Sequence, residues 1–318
     1  MKAYKKINMI IPYFGQFPNY FPLFLRSCER NPSITWTIIS DNKTSYKYPK
    51  NVNFVFMTFH DLKDKVQSLF EFPIYLETPY KLCDYKPAYG YIFKDLITDF
   101  DYWGYCDLDV IYGDIRKFIS EEILKFKKIF LLGHFSLIKN EDMFNKMFMR
   151  NEFYREVFSN KDPYNFDETF LDKPNVNDIF EKNGFPVYKK NFSADIYTKS
   201  SDFVLDHGNG ICEMKKNSFF VWSDGKLSRY IKEKDHIFKE EFMYIHLQKR
   251  KMNININMNN PIKIFKLIPN AFDDLEIKEN DIYESFDKVE KKHFNLQYVK
   301  VRYNNLLVKI KRIFKRSK

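Results

Sequence analysis

The sequence predicts an α/β protein: a mostly parallel sheet flanked by helices, with a C-terminal helical and basic extension. Three observations carry this expectation. Over the first 135 residues, short apolar runs rich in β-branched and aromatic residues alternate with stretches of helical spacing. Aromatic residues make up 19% of the chain, with 34 Phe and 22 Tyr against 9 Gly, a composition that builds a core and excludes disorder. In "FDYWGYCDLDVIYGD" a strand-like run ends in two carboxylates one residue apart, Asp107 and Asp109, although acidic residues are poor strand formers.

Each element follows in order. "INMIIP" is a continuous apolar run closing at Pro12 and predicts a buried first strand. "PNYFPLFLRSCERN" sets Phe21, Phe24, Leu25 and Cys28 at helical spacing. "ITWTIISD", ending at Asp41, and "VNFVFM" predict the second and third strands, followed by a helix from His60 to Phe70. "DYKPAYGYIFKDLI" reads as a helix with Asp84 near its cap and Pro87 in its first turn. Next come the strand ending at the aspartates, a helix from Asp114 to about Lys125, and the strand "KIFLLGH". "NEDMFNKMFMRNEFYREVF" is helical. "NFDETFLDKPNVNDIFEKNG" reads as a helix closing at Gly184, with Asp167 and Glu168 near its start, where the helix dipole favours acids. "KNSFFVWSDGKLSRYI" predicts a hairpin around Asp224-Gly225, and "EEFMYIHLQKR" a returning strand with His246 near its exit.

No internal repeat or low-complexity linker interrupts the chain, so residues 1–260 are expected to form one catalytic domain and 261–318 a peripheral extension. The net charge of +10 is concentrated in that extension: from Lys300 to Lys318 there are eight Lys and Arg and no acid. Tyr303, Leu306, Leu307, Ile310, Ile313 and Phe314 recur there at helical spacing, which predicts a basic amphipathic helix suited to an anionic membrane surface. Zinc-finger spacing, aromatic RNA-binding patterns and basic heptads are absent, so no nucleic-acid partner is expected. The four cysteines are widely spaced, as in a reduced cytosolic protein. The N-terminal apolar run is too short for a signal peptide, and no stretch is long enough to span a bilayer. The expected location is cytoplasmic, peripheral on the inner face of the cell membrane.

The aspartates carry the chemistry. Strand geometry of period two puts Asp107 and Asp109 on one side of the chain, with Leu108 on the other. Adjacent carboxylates repel and raise each other's pKa unless a cation lies between them. Mg²⁺ or Mn²⁺ takes oxygen ligands, often one or two carboxylates, and leaves positions for water and phosphate. By chance alone such a pair is an ordinary solvated turn; an aromatic strand leading in and "VIYGDI" leading out favour the metal. Neither GxGxxG nor GxxxxGK[ST] occurs, so a diphosphate would be held by metal and cations rather than by a glycine nest.

The segment "YWGYCDLDVIYGDIRKFI" resembles the DxD region of GT-A (Rossmann-like) glycosyltransferases, particularly bacterial enzymes of capsule and lipopolysaccharide synthesis. "IIPYFGQFPNYFPLFLRSC", "ISDN", "KLCDYKPAYGYIF", "LGHFSLIKN", "SDGKLSRY" and "YIHLQKRKM" extend the resemblance over roughly residues 7–252. It implies a nucleotide-sugar donor, a UDP-sugar favoured, and a glycan or lipid-linked glycan acceptor. It also implies that Pro12, Tyr13, Phe14 and Asp41 meet the nucleotide; core aromatics and an ordinary turn acid are the plainer readings for Phe14 and Asp41. Lys86 matches a basic residue near the diphosphate, and Asp84 is either a donor contact or a helix cap. Asp107 and Asp109 match the metal ligands, with His246 as a third ligand, better suited to Mn²⁺ than to Mg²⁺. Lys249 is a candidate clamp on the leaving diphosphate, and His134 lines the donor pocket or ends a strand. Asp167 and Glu168 are the candidate catalytic carboxylates, and the DxD resemblance leans to a retaining mechanism. Two other readings use fewer residues. A haloacid-dehalogenase-type phosphatase also ends a strand in DxD, and Val110 fits; Asp273-Asp274 imitates its later acidic pair, but without a strand signal before it. A non-enzymatic membrane-surface module would use only the tail.

Overall fold

The computed structural model describes residues 4–169, 173–198, 200, 202–207, 212–213, 218–234, 236–258, 262–275 and 279–290, with the single positions 299, 303 and 306. Its strands are β1 (Ile7–Pro12), β2 (Ile34–Ser40), β3 (Val52–Phe56), β4 (Tyr102–Cys106) and β5 (Val110–Tyr112). They continue as β6 (Lys128–Leu132), β7 (Phe135–Lys139), β8 (Val187–Tyr188), β9 (Ser193–Asp195) and β10 (Ser218–Ser223). The last are β11 (Lys226–Glu233), β12 (His236–Phe242), β13 (Tyr244–His246), β14 (Asn253–Asn255), β15 (Ile264–Ile268) and β16 (Ala271–Asp273). The chain divides into two compact units. One comprises residues 1–18, 31–108 and 116–191; the other comprises 19–30, 109–115 and 192–318.

The first unit is the expected α/β fold. Its seven-stranded sheet has the order β3-β2-β1-β4-β7-β6-β8. β3, β2, β1 and β4 are parallel, β7 runs antiparallel between β4 and β6, and β8 is parallel to β6. β1 is buried along nearly its whole length, as its unbroken apolar run requires in a central parallel strand. Helix Phe59–Gln67 starts where its sequence says it must: Thr58 and Asp61 form a reciprocal capping box. The stretch expected to be one helix from Asp84 is instead two single turns, Leu82–Tyr85 and Tyr89–Ile92, joined by a 3₁₀ turn over Lys86–Ala88. Pro87 lacks the N–H that would continue the ladder. The helix expected from Asp114 shrinks to Ile115–Phe118, with a 3₁₀ turn at Ile123–Lys125. Around the sheet pack Tyr85, Tyr89, Phe93, Trp103, Phe148 and Phe158, all at most 2% exposed.

Gly104 lies in the middle of this sheet, paired with Met9 and Leu137. A Cβ there would sit 2.3 Å from the Ser136 carbonyl and 2.9 Å from Met9 Sδ, and the first obstacle is backbone. Gly104→Ala is expected to destabilise the protein by about 1–3 kcal/mol through overpacking, read as a lower urea midpoint.

The second unit has a six-stranded sheet, β12-β11-β10-β15-β16-β14, and a three-stranded one, β5-β13-β9. β10 and β11 form the expected hairpin, with Ser223 opposite Lys226. Asp224 and Gly225 both take positive φ, as a two-residue hairpin turn demands. The segment 262–275, grouped with the peripheral extension in the sequence reading, is built into this sheet: β15 pairs with both β10 and β16. Its Phe265, Leu267 and Phe272 are fully buried beside Phe220 and Trp222. Helix Glu279–Glu290 follows, with Phe286 against Phe219. The predicted basic helix of residues 300–318 lies outside the described residues except at Tyr303 and Leu306, both exposed. Among the described residues no helix is long and apolar enough to cross a membrane, and no disulfide joins the four cysteines.

Candidate functional site

In the first unit the chain runs from β1 outward through β2 to β3, then returns to β4 on the other side of β1. Strand order therefore reverses between β1 and β4, and ligands of open α/β sheets bind at the carboxyl ends beside such a reversal. Pro12 ends β1, and Asp107 is the first residue beyond β4. Tyr13 follows β1, tied by its N–H to the Ile39 carbonyl of β2 at 2.9 Å, and its hydroxyl donates to the Gln16 carbonyl. Phe14 is a core aromatic, edge-on to Phe59 at 5.2 Å. Asp41 follows β2 and is half-buried. Its neighbour Asn42 donates to the Gly15 carbonyl, so the loops after β1 and β2 are joined.

The centre of this unit's cluster is Lys86. Its Nζ lies 2.8 Å from an Asp107 oxygen and 3.4 Å from an Asp167 oxygen, and it donates to the Gly133 carbonyl at 2.9 Å. Burial opposes its charge, but the Asp107 and Asp167 carboxylates outweigh burial and hold its pKa well above the ordinary lysine value. Asp167 is 2% exposed. Burial, reinforced by Glu168 and Asp107, pushes its pKa up to about 7 although Lys86 pulls it down. Such a carboxyl can give or take a proton near neutral pH.

Asp167 and Glu168 do not begin a helix, contrary to the sequence expectation. Helix Val176–Lys182 is capped by Asn175, whose side chain accepts from the Asn177 and Asp178 N–H groups, and the two acids lie in the preceding turn. Asp84 also departs from both of its expected roles. It is fully buried and caps no helix; its carboxylate is occupied by Lys81 and by the backbone N–H groups of Tyr164 and Phe166.

Two residues of this cluster had no signal in the sequence. Gly133 presses against the acids: its N–H donates to Glu168 Oε1, and a Cβ there would fall 2.3 Å from Asp167 Oδ2. Lys128, fully buried in β6, donates to the Phe130 carbonyl at 2.7 Å and contacts Ser136 Oγ. Burial lowers its pKa to about 7. It braces a bulge in which Phe130 takes φ 68° and the β6–β7 register shifts, just before the turn that carries Gly133 and His134. His134 itself is buried, and its carbonyl accepts from the Asp107 N–H.

In the second unit the 109–115 segment begins at Asp109, which leads into β5. In the three-stranded sheet β13 lies between β5 and β9, with His246 opposite both Val110 and Asp195. His246 Nε2 is 3.3 Å from Asp109 Oδ1, and its Nδ1 is 2.8 Å from Asp195 Oδ1. The Lys249 backbone N–H donates to the other Asp109 oxygen, and Leu247 N–H to the Asp109 carbonyl. Gln248 and Lys249 both take positive φ, so it is the Lys249 backbone that turns toward Asp109. Burial works against the imidazolium, but Asp109 and Asp195 raise the His246 pKa to about 10. Asp109 is held well below the usual carboxylate range: burial opposes its charge, and His246 and the Lys249 N–H outweigh it. Asp195 was invisible as a site residue in the sequence, because only the parallel pairing of β9 with β13 brings it to His246.

The model of a family of unknown function, DUF6625, matches residues 9–276 of the chain. No curated protein matches it. Among solved structures, it is similar to the galactosyltransferase LgtC in complex with donor and acceptor sugar analogues. The identity is 12%, over 60% of this chain and 75% of that one, with a TM-score of 0.33. It is also similar to apo mouse xyloside xylosyltransferase 1, at 10% identity over 81% and 99% of the two chains, with a TM-score of 0.36.

Proposed function

We propose that this chain, which belongs to the DUF6625 family of unknown function, is a metal-dependent glycosyltransferase. It would move a sugar from a nucleoside diphosphate, UDP favoured, to a hydroxyl of a growing surface glycan, with retention at the anomeric carbon. One observation carries the reading. At the carboxyl end of β4, beside the reversal of strand order, a half-buried lysine is gripped by Asp107 and Asp167. A permanent cation at that point of an open α/β sheet suits a diphosphate.

The donor set fits a divalent ion. Asp107 and Asp109 are separated by one residue, and His246 faces Asp109 through Nε2 while Asp195 engages Nδ1. A ligating histidine usually donates its far ring N–H to a carboxylate, which fixes the ring's orientation. The negative charge that now raises the His246 pKa is the charge a Mn²⁺ or Mg²⁺ would neutralise. Asp107, Asp109 and His246 would hold the ion, whose chemistry is to offset charge on the departing diphosphate.

The remaining roles belong to the chain's own groups. The bond between the anomeric carbon and the diphosphate oxygen breaks, and on the same face that carbon bonds to the acceptor oxygen, whose proton passes to Asp167 or Glu168. Lys86 stabilises the negative charge that grows on the leaving group. Asp167, with its pKa near neutrality, and Glu168 face the acceptor hydroxyl and its proton. Pro12, Tyr13 and Asp41 receive the nucleotide, with the Tyr13 ring against the base. Lys249 extends the cationic lining, and His134 borders the donor pocket. The basic tail would hold the enzyme on the anionic inner face of the membrane, near a lipid-linked acceptor. Titrating UDP into the protein with and without Mn²⁺, with GDP and CDP alongside, tests the reading. Manganese-dependent UDP binding is expected, and absence of binding by all three nucleotides would sink it.

A further inference from the structure

The first unit contains a fully buried ion pair that faces no ligand. Lys81 and Asp84 are 1% and 0% exposed and meet at 2.7 Å. Lys81 spends its other donors on the Val157 and Asp162 carbonyls, at 2.8 and 3.1 Å. The Asp84 carboxylate accepts from the Tyr164 N–H through both oxygens, at 3.0 and 2.9 Å, and from the Phe166 N–H at 3.2 Å. Between those two amides sits Asn165, with φ 58°. Amides flanking a left-handed residue converge into a concave nest that binds an anion, and asparagine is among the few side chains that tolerate this conformation. Here the bound anion is the protein's own Asp84.

This arrangement is costly for mere packing, since a buried ion pair rarely stabilises more than apolar residues of the same size would. What it fixes is position. Phe166 is the residue before Asp167, and the pair pins the loop at Asp162, Tyr164 and Phe166. From there Asp167 reaches Lys86, and Glu168 reaches the Gly133 N–H. We infer that Lys81 and Asp84 are positioning residues: they fold the 162–166 loop around a carboxylate so that Asp167 is held at Lys86 and Glu168 at Gly133. The inference rests on the glycosyltransferase reading for what the two acids then do.

Two variants test it on the full chain. Asp84→Asn weakens the clamp directly. Asn165→Val leaves the ion pair intact but forces a β-branched residue to positive φ, while Asn165→Gly accepts that φ and serves as the rescue. The first readout is amide hydrogen exchange: Tyr164 and Phe166 should exchange faster in Asp84→Asn and Asn165→Val, and at the wild-type rate in Asn165→Gly. The second is hydrolysis of UDP-glucose, UDP-galactose and UDP-N-acetylglucosamine with Mn²⁺. Both weakening variants should lose about 10- to 100-fold in kcat, as misplaced groups do, with UDP affinity unchanged. In an Asp167→Asn background Asn165→Val should cost less than it does in the wild-type chain, because much of its effect passes through Asp167. Equal losses in both backgrounds, or unaltered exchange at Tyr164 and Phe166, would overturn the inference. If wild-type protein neither binds UDP nor hydrolyses a donor, the transferase reading fails, and the exchange data alone uphold or overturn the clamp.

Discussion

Replacing Asp109 with alanine is expected to weaken manganese-dependent UDP binding by at least about 100-fold, since loss of even an outer-shell partner typically costs a metal site 10- to 100-fold. Asp109 is 7% exposed, and its two oxygens are turned to His246 and to the Lys249 N–H. The carboxylate is therefore ionised across the whole working pH range and already fixed in place. The alanine variant removes the proposed ligand and its charge while leaving His246 oriented by Asp195. The fold should survive, because Val110, Ile111 and Tyr112 still pair with β13. Calorimetric titration of UDP with Mn²⁺ into both proteins reads the difference, and circular dichroism checks that the variant is folded. If the folded variant bound UDP and manganese as tightly as wild type, Asp109 would hold no metal.

The second large effect is on stability. Lys86→Met removes the cation between Asp107 and Asp167 and is expected to destabilise the protein by about 3 kcal/mol, the lower end for a broken buried pair. The lower end applies because the Asp107 side chain is 35% exposed and remains hydrated, so most of the loss comes from Asp167, 3% exposed. The loss should depend on pH, with a definite sign. The folded-state pKa of Asp167 lies above its unfolded value of 3.8, so between the two the folded chain keeps a proton that the unfolded chain releases. Such a group stabilises less as pH rises through that window. Without Lys86 the folded pKa moves higher still, and the decline steepens. Urea midpoints of Lys86→Met should therefore fall further below wild type at about pH 8 than at about pH 5. Adding Asp167→Asn should recover part of the loss at the higher pH. A penalty that ignored pH, or a double variant no more stable than the single, would mean that Lys86 does not compensate Asp167.

What could be read from the sequence follows from what each signal measures. β1, β2 and β4 were legible because buried central strands are continuous apolar runs, the edge strand β3 through its β-branched and aromatic residues, and the β10–β11 hairpin because Asp224-Gly225 suits positive φ. The helix expected from His60 to Phe70 forms over Phe59–Gln67, started by the Thr58–Asp61 capping box. The 82–97 region misled because its apolar spacing is helical while Pro87 breaks the ladder. The 262–275 segment looked peripheral because its strands are short and surrounded by Lys and Asn. Its burial comes from β10, a partner about forty residues earlier in the chain.

The sequence by itself determined the α/β class, the two aspartates one residue apart, and the identity of the basic and histidine candidates. Those are local properties, set by periodicity and residue chemistry. Only the tertiary structure decided which groups meet. Lys86 finds Asp167 across 81 positions, and His246 finds Asp195 across 51 through a strand pairing. It also decided that Asp84, a donor contact or cap by its motif, turns inward to hold a loop. A carboxylate's role depends on whether water, a backbone amide or a lysine stands opposite it, and in this chain those partners come from far along the sequence.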